Sequence, residues 1–313
     1  MTQNPYAPAE PHVSDFNVPV VAEFRANGGR VGGMFEGGDL LLLTTVGARS
    51  GTEHTTPLGF VRVEGRLLVV GSAGGSDRHP DWYRNILAHP MVTVELGTET
   101  FGAVAVPTEG ADRDRLFDEI VRRVPGYGDY QKGTDRILPV VALEQRYEEA
   151  AGAATNFAEK LVEIHAWLRG QLEHVRAEAE AYLADRAERS DGAPPAPGLS
   201  LQLRQHCLAF CESLHFHHDS EELMFPRLEE SDPELARTLD RLREEHRTVD
   251  RLRGELEALI ADLPTADPER FRAEVDRMSA ELIAHLDYEE AELFPTLSAL
   301  PFPPVAHQRS EER

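Results

Sequence analysis

The chain has few cysteines and no long apolar run, and each absence excludes a class of protein. Its 313 residues contain two cysteines, Cys207 and Cys211. Both fall in one predicted helix, which favours reduced, buried thiols over a disulfide framework. No segment approaches the roughly 20 apolar residues of a membrane span, and the first residues lack the basic start and apolar stretch of a secretory signal. We therefore expect a cytoplasmic protein with no membrane span.

Positive charge is also scarce. The chain has 32 Lys and Arg against 55 Asp and Glu, a net charge of −23. This balance argues against a nucleic-acid partner, because basic side chains supply most of the affinity for a phosphate backbone. Any site for a phosphate-bearing ligand must therefore be built locally.

The two halves of the chain differ in hydrophobic period. From Leu40 to about Glu144, short apolar runs separated by glycine are typical of strands. The predicted strands are 40–45, 58–63, 66–70, 92–96, 101–106 and 138–143. Two predicted helices, 81–88 and 113–124, interrupt them. This order predicts an α+β domain, a small barrel or roll with helices on its outside.

From about Gln145 onward the period becomes helical. The predicted helices are 156–188, 199–228, 233–263 and 268–297. The last two connections are short, which makes neighbouring helices antiparallel and predicts an all-α, up-down-up-down four-helix bundle. The chain is therefore multidomain. We predict a barrel over 1–144, a linker over 145–155, a bundle over 156–300 and a tail over 301–313.

Ionisable side chains interrupt the apolar stripe of two bundle helices. His217 and Glu221 lie one turn apart, as do His285 and Glu289, and steps of three and four residues keep each pair on the apolar face. Burying an unpaired carboxylate is costly, so a metal cluster explains both pairs most simply. Nitrogen and oxygen ligands without thiolate disfavour structural zinc and suit iron or manganese.

Several neighbouring residues leave more than one interpretation open. His165 and His246 lie on the apolar stripes of the other two helices. Each is either a ligand or a hydrogen-bonded core histidine. His218 and Glu222 lie one step off the stripe and are second choices as ligands. His206 is either a packed histidine or a residue that supports the ligands. The remaining glutamates of the second and fourth bundle helices are expected on a solvated face.

The motifs of this region resemble the hemerythrin-like (HHE cation-binding) family over about residues 156–300. They are His217-His218-x-x-Glu221-Glu222 before Phe225-Pro226, and His285-x-x-x-Glu289-Glu290 before Leu293-Phe294-Pro295. By this resemblance, the ligands of a non-haem di-iron centre with two iron ions would be His165, His217, Glu221, His246, His285 and Glu289. The family's oxygen carriers usually have a further ligand where this chain has Asp250. Either Asp250 substitutes for it, or the iron has an open position filled by water. Such an open site suits oxygen or peroxide reduction, or iron sensing, equally well.

In the first half, two loops are rich in small and hydroxyl-bearing residues. They are Thr44-Thr-Val-Gly-Ala-Arg-Ser-Gly51 and Gly71-Ser-Ala-Gly-Gly-Ser-Asp-Arg78. Such loops can direct backbone N–H groups, hydroxyls and an arginine at a phosphate. Neither has dinucleotide-binding glycine spacing or a Walker lysine. Together they could hold a planar cofactor that carries phosphate.

These loops resemble the deazaflavin (coenzyme F-420)-dependent nitroreductase/quinone reductase family, which has a flavin-binding-like split β-barrel. The matching segments are 41–51 with Thr55-Thr-Pro-Leu58, His79-Pro-Asp-Trp-Tyr83, and 125–136. The resemblance implies hydride transfer from reduced F-420 to quinone or nitro acceptors. It assigns Arg49, Ser50, Thr55 and Thr56 to the cofactor's phosphate arm. It assigns Ser72, Ala73, Gly74, Ser76 and Arg78 to the deazaflavin, and Tyr130 to catalysis at the substrate.

The first loop departs from that family at Ala48, Thr52 and His54, where basic residues are common. FMN is therefore the alternative cofactor, and Tyr130 is either catalytic or an ordinary packed aromatic. The preferred hypothesis is an oxidoreductase in which a deazaflavin-dependent reductase is fused to a di-iron bundle that binds or reduces oxygen or peroxide. The alternative is an iron- or oxygen-sensing protein whose barrel only holds a ligand. A homodimer is compatible with the sequence but not required by it.

Overall fold

A computed structural model of the chain describes residues 11–145, 154–188, 199–261 and 267–301. The chain divides into two compact units, Met1–Glu148 with Ala196–Ala209, and Glu149–Pro195 with Phe210–Arg313. Parts of the expectations fall outside the described residues. These are most of the predicted linker (146–153), the loop 190–198, the end of the third bundle helix (262–263) and the tail beyond 301.

The first unit contains a closed barrel of antiparallel strands in the order β1-β2-β3-β6-β5-β4. The strands are β1 Leu40–Val46, β2 Glu53–Val63, β3 Arg66–Val70, β4 Met91–Leu96, β5 Glu99–Thr108 and β6 Val140–Gln145. The predicted strands are all present. However, β2 begins five residues earlier than predicted, and β6 is displaced by two residues.

Four helices accompany the barrel: α1 Val18–Ala26, α2 Asp81–Ala88, α3 Gly110–Arg123 and α4 Gly126–Lys132. The sequence prediction missed α1 and α4. α4 contains two glycines and has little intrinsic helix propensity. Packing supports it instead, because Tyr127 lies against the cluster that contains Leu116 and Ile120 of α3.

Strand β1 is apolar on both faces because both are covered. Leu41 and Leu43 belong to the largest apolar cluster of the barrel, together with Val69 and Val94. Leu40 and Leu42 point to the other face of the sheet, where they pack against α1. Because alternate residues of a strand face opposite sides, a run of leucines is expected only where both sides are buried.

The second unit is helical, with α5 Phe157–Glu188, α6 Leu199–Ser231, α7 Ala236–Ala261 and α8 Pro268–Leu297. The described helix ends lie within three residues of those predicted. Asp232 and Asp267 accept hydrogen bonds from backbone N–H groups two and three residues later, which satisfies the first turn of the following helix. α6 begins in the first unit and continues in the second. None of the described helices is long and apolar enough to cross a membrane.

Candidate active site and metal centre

The loop between β1 and β2, helix α2 and the segment before α1 line a pocket of about 620 Å³. Its lining includes four residues assigned to the phosphate arm from the sequence: Arg49, Ser50, Thr55 and Thr56. It also includes residues that the sequence did not indicate: His12, Ser14, Asn17, Trp82, Arg84 and Asn85. His12 is brought there by a bridge to His54, a long-range pairing that no local pattern signals.

Asn85 of α2 fixes the shape of the β1–β2 loop. Its Oδ1 accepts a hydrogen bond from the backbone N–H of Ala48 at 3.1 Å, and its Nδ2 donates to Thr45 Oγ1 at 3.0 Å. The buried hydroxyl of Thr55 bonds to that of Thr44 at 2.7 Å. The loop is therefore held in one conformation from both ends, which prepares its N–H groups and hydroxyls for a ligand.

Arg136 holds the second loop. Its guanidinium donates to three backbone carbonyls of this loop, those of Gly71 at 2.9 Å, Ser72 at 2.5 Å and Ser76 at 2.6 Å. The backbone at Ala73 and Gly74 has positive φ, a conformation that costs energy at a non-glycine residue. The arginine fork compensates by satisfying the carbonyls of the strained segment. Arg136 is the last residue of the matching segment 125–136, but the sequence assigns it no role.

Tyr130 lies on α4 beside this second loop. A Cβ placed on Gly75 would lie 3.3 Å from the carbonyl oxygen of Tyr130, so only glycine allows this close packing. The side chain of Tyr130 is exposed. The residues assigned to the deazaflavin, Ser72, Ala73, Gly74, Ser76 and Arg78, lie on or directly after the loop that it borders. These five residues do not line the pocket that contains Arg49. The proposed cofactor residues therefore lie at two separate places on the barrel domain.

The two loops fit an anionic cofactor by charge. Arg49 and Arg78 are exposed, and within the described parts of the chain neither side chain has a hydrogen bond or an ion pair. Most other arginines of the barrel pair with carboxylates, as Arg25 does with Glu95 and Arg66 with Asp112. An arginine left unpaired in a chain of net charge −23 is available for a phosphate.

In the bundle, the six predicted ligands are all buried and lie together. Ligand atoms of His165, His217, Glu221 and Glu289 are within 4.8 Å of one another. We call these four residues the first group. Ligand atoms of His218, His246 and His285 meet the same limit, and we call these three residues the second group.

Both carboxylates face histidines of both groups. Glu221 Oε1 lies 3.1 Å from His217 Nε2, and its Oε2 lies 3.4 Å from His246 Nε2. Glu289 Oε2 lies 3.6 Å from His165 Nε2 and 3.8 Å from His285 Nε2. With this placement, each carboxylate would be able to hold a metal ion together with histidines of either group.

Unpaired polar atoms in the cluster support a metal. Among the described residues, both carboxylate oxygens of Glu221 and of Glu289, Nε2 of His246 and of His285, and both ring nitrogens of His218 are buried without a hydrogen-bond partner. A buried polar atom left unsatisfied costs about 1–3 kcal/mol. So many in one place indicate that a cation completes the site, and the donor set fits iron.

Burial dominates the electrostatics of the cluster. It lowers the pKa of His165 to about 3, with smaller contributions from Arg169 and His285. The pKa values of His217, His218 and His246 are lowered as well. Burial is the largest cause, and neighbouring histidines are the next. Burial raises the pKa values of Glu221 and Glu289. Burial therefore favours the neutral form of these four histidines, which is the form that metal ligands need.

His218, a second-choice ligand because it lies one step off the apolar stripe, is part of the cluster. It is buried, stacked on His246 with ring centroids 4.2 Å apart, and edge-on to His285 at 5.2 Å. The inward arc of a bundle helix is at least about 100° wide, so two consecutive residues can both face the interior. His217 thereby joins the first group, and His218 joins the second.

Asp250 and His206 both lie apart from the two ligand groups. The side chain of Asp250 is 46% exposed, 3.8 Å from His215 Nδ1 and 3.5 Å from Arg253 Nε. His206 is buried, and its Nε2 is 3.1 Å from Glu144 Oε2. His206 is therefore a packed, hydrogen-bonded histidine.

Three glutamates contact the histidines from outside the cluster. From the sequence, Glu222 is a second-choice ligand and Glu290 is expected on a solvated face, whereas Glu245 has no predicted role. Glu290 accepts a hydrogen bond from His165 Nδ1 at 2.9 Å, Glu222 from His246 Nδ1 at 3.0 Å, and Glu245 from His285 Nδ1 at 3.0 Å. A sequence stripe cannot reveal them because they flank the inward arc and act across helices.

The barrel has a clear relative among known proteins. The F420H(2)-dependent quinone reductase of Mycobacterium tuberculosis strain H37Rv is 37% identical over 129 residues, which cover 40% of this chain and 87% of the relative. The family model for F420H(2)-dependent quinone reductases matches residues 19–145. The chain belongs to this family. Its members are oxidoreductases, so the barrel is a reductase domain, and the resemblance inferred from the loops is confirmed. The FMN alternative finds no support in these matches.

Two solved structures are each similar to part of the chain. A structure titled F420-H2 dependent reductase (FDR-A) is 37% identical with a TM-score of 0.32, and covers 34% of this chain and 94% of that chain. A structure titled domain-swapped dimer is 33% identical with a TM-score of 0.34, and covers 41% of this chain and 95% of that chain.

The helical region matches a second family model, the hemerythrin HHE cation binding domain, over residues 156–297. The resemblance inferred from the His-x-x-x-Glu motifs is therefore confirmed as well. The chain combines an F420H(2)-dependent quinone reductase domain with a hemerythrin-like domain.

Proposed function

We propose that the barrel binds reduced F-420 and passes its hydride to a quinone, with nitro compounds as a second acceptor class. The unpaired Arg49 and Arg78, in a strongly acidic chain, are the observation that carries this proposal. Arg49, Ser50 and Thr56 would bind the phosphate arm, and the loop held by Arg136 would support the deazaflavin. The exposed Oη of Tyr130 would donate a hydrogen bond to the acceptor's oxygen.

The bundle, in this proposal, holds two iron ions through the two groups of ligands. The carrying observation is that Glu221 and Glu289 each face histidines of both groups. His218 would be the seventh ligand, in addition to the six indicated by the sequence. When bound, F-420 supplies hydride and the iron pair supplies one-electron chemistry with oxygen or peroxide. The protein supplies neutral imidazoles, two carboxylates and a buried site that excludes bulk water.

The fusion of the two domains in one chain motivates a further part of the proposal. Each hydride from reduced F-420 carries two electrons. In the bundle these two electrons, with two protons, would reduce oxygen to hydrogen peroxide or hydrogen peroxide to water. The protein would then act as an oxidant-reducing enzyme. The partners of this enzyme would be a small-molecule electron acceptor and oxygen or peroxide, and a homodimer is consistent with the proposal.

One experiment with iron-loaded full chain tests these points. Reduced F-420 is followed by absorbance, under argon with a soluble quinone and under air without quinone. We expect about two irons per chain, quinone-dependent oxidation in the unmodified chain and in His217→Ala, and air-dependent oxidation that His217→Ala abolishes. His215→Ala, a change at a half-exposed histidine on the same helix, is the matched control and should behave as the unmodified chain.

Each other outcome has a distinct meaning. Air-dependent oxidation that is equal in the unmodified chain and in His217→Ala would show that the two domains work separately. Iron binding without turnover of any quinone or nitro acceptor would favour a sensing protein. Fewer than one iron per chain would contradict the di-iron proposal. Turnover with reduced FMN at the same rate as with F-420 would contradict the cofactor assignment.

A further inference from the structure

Three of the cluster histidines are tied to carboxylates on neighbouring helices. His165 on α5 reaches Glu290 on α8, and His285 on α8 reaches Glu245 on α7. The third contact joins α7 to α6, where His246 Nδ1 lies 3.0 Å from Glu222 Oε1. Each contact thus joins a predicted metal ligand to an adjacent helix.

An arginine accompanies each of these carboxylates. Arg169 Nη1 lies 2.7 Å from Glu290 Oε1, and Arg241 Nε lies 2.7 Å from Glu245 Oε1. The third pair is looser, with Arg243 Nε at 3.8 Å from Glu222 Oε2. The cluster is therefore surrounded by three Arg–Glu–His relays, defined by Arg169–Glu290–His165, Arg243–Glu222–His246 and Arg241–Glu245–His285.

The relays determine which ring nitrogen faces the interior. An ionised carboxylate can only accept, so each Nδ1 carries the proton and each Nε2 presents its lone pair. For His246 and His285, that Nε2 is the buried atom without a hydrogen-bond partner. At both residues, therefore, the nitrogen that lacks a proton is also the buried nitrogen without a partner.

Glu245 is held from two sides. Its Oε2 accepts from His285 Nδ1 at 3.0 Å, and its Oε1 lies 2.7 Å from Arg241 Nε. A carboxylate that accepts from the far side of an imidazole raises the basicity of the other nitrogen. His218 differs, because neither of its ring nitrogens has a hydrogen-bond partner among the described residues.

We propose that Glu222, Glu245 and Glu290 are positioning residues that orient His246, His285 and His165 and strengthen them as metal ligands. This inference rests on the proposed function of the bundle as a two-metal site. Two of the relays act on the second group and one acts on the first. The two metals are therefore inequivalent, and the ion held by His218, His246 and His285 receives the stronger donors.

The test compares Glu245→Gln with Glu244→Gln in the iron-loaded full chain. Glutamine keeps the size of the side chain but removes the charge that strengthens the imidazole. Glu244 is an exposed neighbour on α7 that pairs with Arg247, so its change also breaks an ion pair without touching a histidine. Iron retention is measured against a graded series of chelator concentrations, together with the reduction potential and the absorption spectrum of the centre.

We expect Glu245→Gln to lower iron affinity by about 10–100-fold, to raise the reduction potential, and to change the spectrum. Glu244→Gln should leave all three unchanged. Arg241→Ala keeps the carboxylate but removes its partner, and should give a smaller loss in the same direction. Glu290→Gln repeats the test on the first group, so misfolding of a single variant does not decide the result.

The outcomes separate this inference from the proposed function. If the unmodified chain holds fewer than one metal per chain, the proposed function itself fails. If the unmodified chain holds two metals while Glu245→Gln and Glu290→Gln match Glu244→Gln in affinity and potential, the positioning role is overturned. Metal-free thermal melts of the variants identify any loss that comes from folding alone.

Discussion

At the scale of single residues, the cluster opposes protonation of its histidines in the metal-free protein. The pKa values of His165, His217, His218 and His246 are lowered by burial. The unfolded chain therefore binds more protons than the folded chain below about pH 6.5. Burial raises the pKa values of Glu221 and Glu289. Above about pH 4.5, these two carboxyls therefore bind more protons in the folded chain than in the unfolded chain. Below that pH only the histidine effect of the cluster remains.

We therefore expect the metal-free protein to lose stability as the pH falls from about 4.5 to 3. Each histidine that stays neutral in the folded state contributes a slope of about 1.4 kcal/mol per pH unit. His165→Gln should remove one such contribution between pH 6.5 and about 3, because folding no longer keeps that group deprotonated. Urea unfolding at a series of pH values measures the difference in slope. Equal slopes for the two proteins would contradict the assignment.

At the scale of elements, Arg136 joins the two ends of the loop between Gly71 and Arg78 through hydrogen bonds to its carbonyls. Arg136→Lys replaces a planar fork by one ammonium group, which cannot satisfy the carbonyls of Gly71, Ser72 and Ser76 together. Losing about two hydrogen bonds, each contributing roughly 0.5–1.5 kcal/mol, should loosen the loop. We expect the KM for reduced F-420 to rise roughly tenfold, measured by steady-state kinetics with saturating quinone.

The control for this prediction is Arg122→Lys on α3. Arg122 is exposed and pairs with Glu119 of the same helix, so its replacement changes an arginine of the barrel without affecting the loop. Its KM should equal that of the unmodified chain. A KM for Arg136→Lys that is also unchanged would show that the loop does not contribute to cofactor binding.

The elements also show what the sequence could predict. β3 and α2 lie where their residues indicated, because a hairpin turn bounds one and a proline precedes the other. α4 was missed because its sequence carries no helical signal and packing supplies its stability. The places of the six predicted ligands follow from an apolar stripe with a helical period and from the family resemblance. His218, Glu245 and Arg136 do not, since their roles depend on the width of the inward arc or on partners distant in sequence.

At the scale of the whole molecule, the barrel unit includes the first part of α6. Ala209 packs against Val104 and Val106 of β5, Arg204 Nη1 donates to the carbonyl of Leu87 at 2.7 Å, and His206 bonds to Glu144. The family models match residues 19–145 and 156–297. Residues Ala196–Ala209 belong to the barrel unit, yet they fall within the second of these matches. The reductase domain therefore depends on a segment far along the chain.

A chain ended after residue 148 should consequently be less stable than the same barrel in the full chain. It would expose part of Val104 and Val106, at a cost of roughly 1–3 kcal/mol. The two tryptophans of the sequence allow a specific readout: with Trp167→Phe in the full chain, Trp82 alone reports unfolding of the barrel in urea. Arg204→Ala in that background should give a smaller loss. Equal urea midpoints for the short and full chains would contradict the prediction.

The placement of His217 and His218 has a consequence for how the centre fills. The two residues are consecutive on α6 yet belong to different ligand groups, and Glu221 and Glu289 face both groups. The first ion to bind would orient α6 and lessen the repulsion between the carboxylates, so the second ion would meet a site already arranged for it. Filling should therefore be cooperative, and molecules with a single ion should be scarce at every stage of a titration.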